Sequence, residues 1–421
     1  MIKPPFMGYS ETMKIWIKYL IGAALGFFAA VVIPFDGHFA QEVLAFLTEL
    51  AIRFGRYTIL PVMFFGVSVA VFRLRSSHNL VRPTLLILAV MIVSACLLTI
   101  IGILSVLVFK LPRIPIPTGK MSDVASIDIK SLVFALFPFS GFQSFLDGVF
   151  LLPLFLFAAL AGAGCASDIN ASKPAVTLFS SLSKVAYNVM CFFVDMFALG
   201  MIAIACKWFV ESLPVFASGI YTPLIIMLLV DFVLVSCVIY PVLLYLFCPG
   251  SRPFRVLYAS ICPVLVAFFS GDTNLVLPVA IRHGHESLGM KRKINSVSYP
   301  VFSVFARGGS ALVVSICFVL ILSSYSSLSI SFSDIMWIAG CSFALSFVLG
   351  SLPVGGAFVA LTMMCAMYGR GFEAGYILIK PVALIIGSFA AAIDGATAMF
   401  GSYFVAHKMK MTENYELKKF I

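Results

Sequence analysis

Long apolar runs recur along almost the whole chain, and they constrain its fold more than any other feature. These runs are continuous, and many reach the roughly 20 residues that a helix needs to cross the hydrocarbon core of a membrane. Transmembrane strands would instead show segments of about ten residues with alternating hydrophobicity. The sequence therefore predicts an all-α polytopic membrane protein without a sizeable soluble domain.

The distribution of charge agrees with this fold class. Of the 421 residues, 62% are hydrophobic and only 11% are charged, yet the net charge is +10. The basic residues cluster in short loops such as 73–82, 252–255 and 291–293 rather than on one face, so nucleic-acid binding is not indicated. By the positive-inside rule, both termini are expected in the cytoplasm, with the chain in the cell membrane, or in the inner membrane of a Gram-negative-type cell.

Two kinds of apolar segment follow one another along the chain. The first kind comprises six conventional spans, at 14–34, 46–72, 83–109, 143–163, 183–209 and 221–247. The second kind comprises two pairs of shorter segments, 257–288 and 334–368, each divided by a stretch rich in Gly, Pro or polar residues, "SGDTN" and "SLPVGG". Each pair predicts a re-entrant helical hairpin.

Two further apolar segments, 294–323 and 376–406, are interrupted near their centres. The interruptions, "ARGGSA" (306–311) and "IDGATA" (393–398), share a charged residue followed by small residues and a hydroxyl. They predict two broken helices in an inverted repeat, where free backbone groups near the membrane midplane can bind substrates and ions. The chain would then divide into a scaffold and trimerisation half (1–250), a transport half (251–410) and a cytoplasmic tail (411–421).

This order of six helices, hairpin, seventh helix, hairpin and eighth helix resembles the dicarboxylate/amino acid:cation symporters, the glutamate transporter family. "AFFSGDTNLVLPVAIR" is similar to a serine-rich hairpin tip followed by T-L-P-V-T-x-R. "YPVFSVFARGGSAL" resembles L-P-L-G-A-T-I-N-M-D-G-T-A-L on the seventh helix, and "SLPVGGAF" resembles the I-P-G-A-G tip of the second hairpin. The positions that match in the first two motifs are Leu277, Pro278, Val279, Arg282, Pro300, Gly309, Ala311 and Leu312.

The resemblance implies a divergent secondary active transporter. It implies symport of a small organic anion or amino acid, dicarboxylate-like, with sodium or a proton, by an elevator-like mechanism in a homotrimer. The sequence departs from the family pattern on the seventh helix, where Ala306, Arg307 and Gly308 replace Asn-Met-Asp. On the eighth helix, Gly387 replaces an acidic residue that binds the substrate amino group, and Ala390 replaces an Arg that binds the side-chain carboxylate. Further along that helix, Asp394 replaces a substrate-contacting Asn and Ala398 replaces a sodium-binding Asp. These departures bring acidic amino acid recognition and ordinary sodium coupling into question.

Three ionisable residues fall at the predicted breaks: Asp272, Arg307 and Asp394. An unpaired charge at membrane depth costs at least ~3 kcal/mol, so each is expected to face a partner or a water-filled cavity. Arg307 and Asp394 are expected to approach one another with Asp272 nearby. Arg307 would either replace a sodium ion or bind a substrate carboxylate, and either Asp could carry a proton. The alternatives are a purely structural salt bridge for Arg307 and Asp394 and a helix N-cap for Asp272.

The full predicted substrate-binding set adds hydroxyls and glycines at the same breaks. It comprises Asp272, Thr273, Arg307, Ser310, Gly355, Gly356, Asp394 and Thr397. The stretch "SLPVGG" would act as a mobile gate. Three acidic residues outside the repeat, at positions 147, 195 and 231, are expected to make hydrogen bonds between helices or at a trimer interface.

Other classes of function find no motif. His283 and His285 lack further ligands at metal-binding spacing and are predicted to form a polar helix end, so no metal centre or cofactor is expected beyond the coupling ion. The sequence contains neither G-x-x-x-x-G-K-[ST], G-x-S-x-G nor H-E-x-x-H, so it predicts no enzyme. Its expected partners are the lipid bilayer and a small-molecule substrate. A passive channel or anion pathway on the same scaffold and a non-transporting receptor remain alternatives.

Overall fold

The computed structural model describes residues 14–35, 37–115, 134, 136–146, 148–325 and 331–413. These residues form helices, with two isolated bridges and no strands. Most of the connection between the predicted spans 83–109 and 143–163 lies outside the described residues, as do Asp147 and residues 414–421 of the predicted tail. The all-α fold class is confirmed.

Eight helices have both ends within the described residues of the first part of the chain. They are α1 (Ile15–Val32), α2 (His38–Arg56), α3 (Ile59–Ser76), α4 (Val81–Val108), α5 (Leu152–Cys165), α6 (Ile169–Ser218), α7 (Thr222–Val233) and α8 (Tyr240–Phe247). A π-helical turn, Leu234–Ile239, joins α7 to α8 without a break. A 3-10 turn, Gly141–Phe145, precedes α5.

The described residues of the second part form seven helices. They are α9 (Pro253–Ser270), α10 (Thr273–Glu286), α11 (Arg292–Phe305), α12 (Gly308–Tyr325), α13 (Phe332–Val348), α14 (Gly356–Tyr368) and α15 (Ala383–Lys408). Short 3-10 turns follow α13 at Leu349–Ser351 and precede α15 at Gly375–Leu378 and Lys380–Val382.

The helical segments have the lengths that a polytopic membrane protein requires. Among the described residues, nine segments are long and apolar enough to cross a membrane. The longest is α6, which extends well beyond the predicted 183–209. Its start is fixed by Asp168, whose carboxylate accepts hydrogen bonds from the N–H groups of Asn170 and Ala171. Its end is fixed by Gly219, which adopts the left-handed backbone conformation at φ 68°.

Three of the predicted helix breaks are confirmed. Gly271 and Asp272 separate α9 from α10, Ala306 and Arg307 separate α11 from α12, and residues 352–355 separate the 3-10 end of α13 from α14. The two hairpins are thus α9–α10 and α13–α14, hereafter hairpin 1 and hairpin 2.

The predicted break of the last long helix is wrong. α15 runs without interruption from Ala383 to Lys408, straight through 393–398. The local sequence explains the difference, because "IDGATA" has one glycine among good or tolerable helix formers, whereas "ARGGSA" has two adjacent glycines. The likeness of the two motifs therefore does not extend to their backbone.

Two long segments occupy the centre of the bundle and position the site. In an apolar stretch of 18 residues within the α11–α12 segment, 94% of the residues are buried, and in the corresponding stretch of the α15 segment 83% are buried. α15 packs against α9, α11 and α12, and α4 packs along α12. By contrast, α1 packs mainly on α6 and leaves more of its surface exposed. Residues near the break at 306–307 are therefore enclosed on all sides by helices.

Candidate binding site beneath the hairpin tips

The tips of the two hairpins touch one another. The N–H of Thr273 donates a hydrogen bond to the carbonyl of Pro353 at 3.3 Å, and Asp272 forms an isolated antiparallel bridge with Val354. Gly271 and Gly355 adopt positive φ values of 60° and 69°, which allow each tip to turn tightly. The tips therefore close over the break between α11 and α12.

Asp272 is engaged through both of its carboxylate oxygens. Oδ1 accepts a hydrogen bond from the N–H of Asn274 at 2.9 Å, which makes Asp272 the N-cap of α10. Oδ2 accepts hydrogen bonds from Nε and Nη2 of Arg56 at 2.8 and 2.6 Å. The side chain is fully buried. The N-cap alternative is thus confirmed, and a second partner is found at the end of α2.

Thr273 and Ser303 link hairpin 1 to α11. The hydroxyl of Ser303 donates to the carbonyl of Thr273 at 3.1 Å, while Oγ1 of Thr273 is buried and makes no hydrogen bond. Asn274 donates from Nδ2 to the carbonyl of Val149 at 2.8 Å. The first turn of α10 is therefore held from two sides.

Asp394 caps α12 from a different helix. Its Oδ1 accepts a hydrogen bond from the N–H of Gly309 at 2.7 Å, and its Oδ2 accepts one from the hydroxyl of Ser310 at 3.0 Å. A carboxylate at this position also interacts favourably with the positive end of the helix dipole. The predicted site residues Ser310 and Asp394 are thereby brought into direct contact.

Gly309 is required by this close approach. A Cβ at this position would lie 2.7 Å from the carbonyl oxygen of Ala390 and 2.9 Å from Oδ1 of Asp394. Only a glycine lets the start of α12 come so near to α15. The second glycine of "ARGGSA" thus has a steric reason that the sequence alone does not reveal.

Arg307 is buried and has unused hydrogen-bond donors. Its side chain is 3% exposed, and neither Nε nor Nη2 has a hydrogen-bond partner among the described residues. The negative charges of Asp394 and Asp272 both act on it, but the ion pairs between described residues do not include it. Arg307 and Asp394 are thus near enough to interact electrostatically, as predicted, but the alternative of a salt bridge between them is wrong, because the carboxylate of Asp394 is directed to the start of α12.

The free donors of Arg307 lie on one edge of its guanidinium group. Nε–H and one Nη2–H point in the same direction, which is the edge that matches the two oxygens of a carboxylate. The other buried arginine among the described residues, Arg282, is paired with Asp195 at 3.0 Å and with Glu286 at 3.2 Å. A buried guanidinium edge without partners thus distinguishes the break between α11 and α12.

The remaining predicted site residues have other roles or lie at the tip of hairpin 2. The hydroxyl of Thr397 is 2.5 Å from the hydroxyl of Tyr240 and donates to the carbonyl of Ile393. Gly355 is the N-cap of α14 and Gly356 its first residue. Beside them, Val354 is 52% exposed, so the tip of hairpin 2 reaches the surface.

A small cavity lies beside Asp394. It is lined by Thr273, Ser303 and Asp394 together with apolar side chains of α10, α11 and α15. The cavity has room for about one water molecule, too little for an organic substrate. This space can therefore admit a larger molecule only if the helices that line it, α10, α11 and α15, move apart.

The acidic residues outside the breaks join helices to one another, whereas His283 is bound within the end of its own helix. Asp195 of α6 pairs with Arg282 of α10, and Asp231 of α7 accepts a hydrogen bond from Ser105 of α4, as predicted for interhelical contacts. His283 is buried with Nδ1 3.3 Å from the hydroxyl of Ser287, so its predicted place at a polar, solvated helix end was wrong. Among the described residues, no three His, Cys, Asp or Glu side chains cluster as metal ligands would.

Sequence reasoning missed three residues of the site. Arg56, Asn274 and Ser303 contact the tip of hairpin 1, yet none was singled out. The one available signal was the acidic tip itself, since a buried carboxylate requires a cation. That signal could not choose Arg56 among the 28 lysines and arginines of the chain.

Comparison with known proteins gives one family. The model of the sodium:dicarboxylate symporter family matches residues 12–408, which is nearly the whole chain. A comparison with curated proteins found no match.

Proposed function

The chain belongs to the sodium:dicarboxylate symporter family, and we propose that it is a secondary active transporter in which Arg307 binds a carboxylate of the substrate. The substrate is a small organic anion or an amino acid, dicarboxylate-like in its acidic group. Its transport is coupled to the movement of a cation, sodium or a proton, down its gradient.

The observation that carries this proposal is the free Nε–Nη2 edge of Arg307. Burying a guanidinium group without hydrogen-bond partners is costly, so such an edge is kept where a ligand completes it. A carboxylate completes it with two parallel hydrogen bonds and an opposite charge. Asp272 and Asp394 contribute charge nearby but are themselves bound to Arg56 and to the start of α12.

The two hairpin tips differ in how firmly they are held, which supports hairpin 2 as the gate. Hairpin 1 is fixed by the ion pair of Asp272 with Arg56 and by Asn274. Hairpin 2 meets it at Pro353 and Val354, and Val354 is largely exposed. We propose that the stretch 351–356 moves away to admit substrate, with Gly355 and Gly356 allowing the turn to rearrange.

The finer architecture of transport also belongs to the proposal. The half 251–410 would move against the half 1–250 in an elevator-like manner within a homotrimer, with both termini in the cytoplasm. Family membership supports this arrangement, as does the burial of the α11–α12 and α15 segments at the centre of the bundle.

The proposal is tested by ligand-induced thermal stabilisation of the purified chain in detergent. The probes are succinate, L-lactate, L-glutamate and L-serine, since a ligand that binds the folded protein raises its melting temperature. At least one probe should stabilise the wild type, and Arg307→Gln should abolish that effect. Arg307→Lys should also weaken it, because lysine keeps the charge but lacks the two-donor edge. Arg370→Gln is the matched control, since the guanidinium group of Arg370 is exposed.

Uptake into proteoliposomes separates this function from its rivals. Accumulation of the stabilising probe against its gradient, driven by an imposed sodium or proton gradient, is expected. Flux that only equilibrates the probe would support a passive pathway instead. Stabilisation without any flux would support a receptor, and stabilisation unchanged in Arg307→Gln would refute the role of Arg307.

A further inference from the structure

One buried face of the segment Thr222–Phe247 carries polar groups. Asp231, Ser236 and Tyr240 are each at most 6% exposed, and they lie among the buried apolar residues Leu224, Leu228, Val235 and Leu244. In a regular α-helix, Asp231 and Ser236, which are five positions apart, would point about 140° away from one another. The π-helical turn Leu234–Ile239 adds one residue to the turn and keeps both Asp231 and Tyr240 on the buried face.

Asp231 has a neutral partner where a buried carboxylate would need a cation. The hydroxyl of Ser105 in α4 donates to its Oδ2 at 2.9 Å. The ionisable groups on the helices packed against α7 are Arg82 and Cys96 on α4, Cys237, Tyr240 and Tyr245 on the π-helical turn and α8, and Asp394, Tyr403, His407 and Lys408 on α15. Within the described part of the chain, none of them forms an ion pair or a hydrogen bond with Asp231.

The same face continues towards the candidate binding site. The hydroxyl of Ser236 is buried and has no hydrogen-bond partner among the described residues. One turn further, the hydroxyl of Tyr240 lies 2.5 Å from that of Thr397 in α15, one turn after Asp394. Polar side chains thus recur along this face between Asp231 and α15, the helix that carries Asp394.

We propose that Asp231 is a proton-binding site and that the proton it takes up is the coupling cation. This inference rests on the proposed function and specifies its coupling ion. On protonation, an O–H bond forms at Oδ1 of the carboxylate while Oδ2 keeps its hydrogen bond from Ser105, and the group becomes neutral. On release, that O–H bond breaks, the proton leaves to water and the carboxylate regains its charge. The neutral acid suits a site without a cation, since a charged group at membrane depth is costly.

Infrared difference spectroscopy of the reconstituted full-length chain tests the site without any substrate. A pH-induced difference spectrum should contain the C=O band of a buried protonated carboxyl group that shifts in D₂O. That band should be lost in Asp231→Asn and retained in Glu211→Gln, in which an exposed acidic group is removed. A band that persists unchanged in Asp231→Asn overturns the proposal.

A second variant keeps the test decisive if Asp231→Asn does not fold. Ser105→Ala removes the hydroxyl that donates to the carboxyl group, so the C=O band should move to higher frequency. An unmoved band in Ser105→Ala contradicts the assignment to Asp231.

Uptake measurements then separate the coupling role from the transport function. In proteoliposomes with an imposed pH gradient, uptake of succinate or L-serine by the wild type should be lost in Asp231→Asn. If the variant keeps wild-type uptake, the coupling role fails while the transport function stands. If the wild type takes up neither probe, the transport function fails for these substrates, and the infrared band still decides whether Asp231 binds a proton.

Discussion

Arg56 at the end of α2 and the fully buried Asp272 at the tip of hairpin 1 form an ion pair although 216 positions separate them in sequence. Two nitrogens of the guanidinium group contact the same carboxylate oxygen, at 2.8 and 2.6 Å. The other carboxylate oxygen caps α10. One residue of the N-terminal part thus holds the hairpin tip that closes the site.

Arg56→Gln should lower the apparent melting temperature in detergent. The change leaves the buried carboxylate of Asp272 without a cation. We expect the free energy of unfolding to fall by about 2 kcal/mol, which is less than for a fully buried pair because Arg56 is partly exposed. Arg53→Gln is the matched control on the same helix, because Arg53 pairs with Glu49 at the surface and should contribute little. The double variant Arg56→Gln/Asp272→Asn should recover part of the loss. Equal melting temperatures for Arg53→Gln and Arg56→Gln would contradict the importance of this ion pair.

Asp394→Ala should expose the start of α12 to exchange with solvent. The change removes two hydrogen bonds to a carboxylate and leaves the N–H of Gly309 without a partner. We expect the free energy of unfolding to fall by roughly 3 kcal/mol. Hydrogen–deuterium exchange in a peptide that covers 308–312 should therefore accelerate. Asp394→Asn keeps one carbonyl acceptor and should show a smaller effect. Unchanged exchange in Asp394→Ala would mean that the cap does not stabilise the helix start.

Two glycine substitutions should have opposite effects on thermal stability. In Gly309→Ala, the new methyl group would meet the backbone carbonyl of Ala390 at 2.7 Å, and we expect a loss of roughly 1–3 kcal/mol. In Gly387→Ala, a Cβ within α15 would meet no atom within 4 Å. That variant should keep or gain stability, by up to about 1 kcal/mol, because alanine favours the helix. Melting curves in one detergent compare both with the wild type, and the reverse order would contradict the close approach of α12 to α15.

Tyr240→Phe should destabilise the contact between α8 and α15. It removes the hydroxyl that lies 2.5 Å from that of Thr397. We expect the free energy of unfolding to fall by about 1 kcal/mol. Tyr245→Phe is its control on the same short helix, since Tyr245 is 73% exposed. A double-mutant cycle with Thr397→Val isolates the pair. Additive effects in the cycle would show that the two hydroxyls do not interact.

The order of spans, hairpins and breaks could be predicted because local sequence determines it. Apolar length indicates each span, and the glycines and prolines of "SGDTN", "ARGGSA" and "SLPVGG" mark three breaks that the structure contains. These signals act within a few residues. The family resemblance rested on the same segments and is confirmed by the match over 12–408.

The partners of the charged residues could not be predicted, because tertiary packing chooses them. Asp394 was expected to face Arg307, but the free N–H groups at the start of α12 are closer to it and bind its carboxylate. Asp272 pairs with Arg56, and no regularity of sequence spacing relates these two residues. The prediction of a break in α15 failed because a motif likeness was given more weight than helix propensity.

The uninterrupted helix α15 fixes the relative positions of three other helices. Ser388 accepts a hydrogen bond from Trp208 of α6, Asp394 caps α12, and Thr397 contacts Tyr240 of α8. These three positions keep a fixed angular phase, because each residue of a helix turns the chain by about 100°. A single insertion between Ser388 and Thr397 would rotate one contact out of alignment with the others. Insertions and deletions in this region are therefore expected in the stretch 369–382. They are not expected within α15, where they would move its three contacts relative to one another.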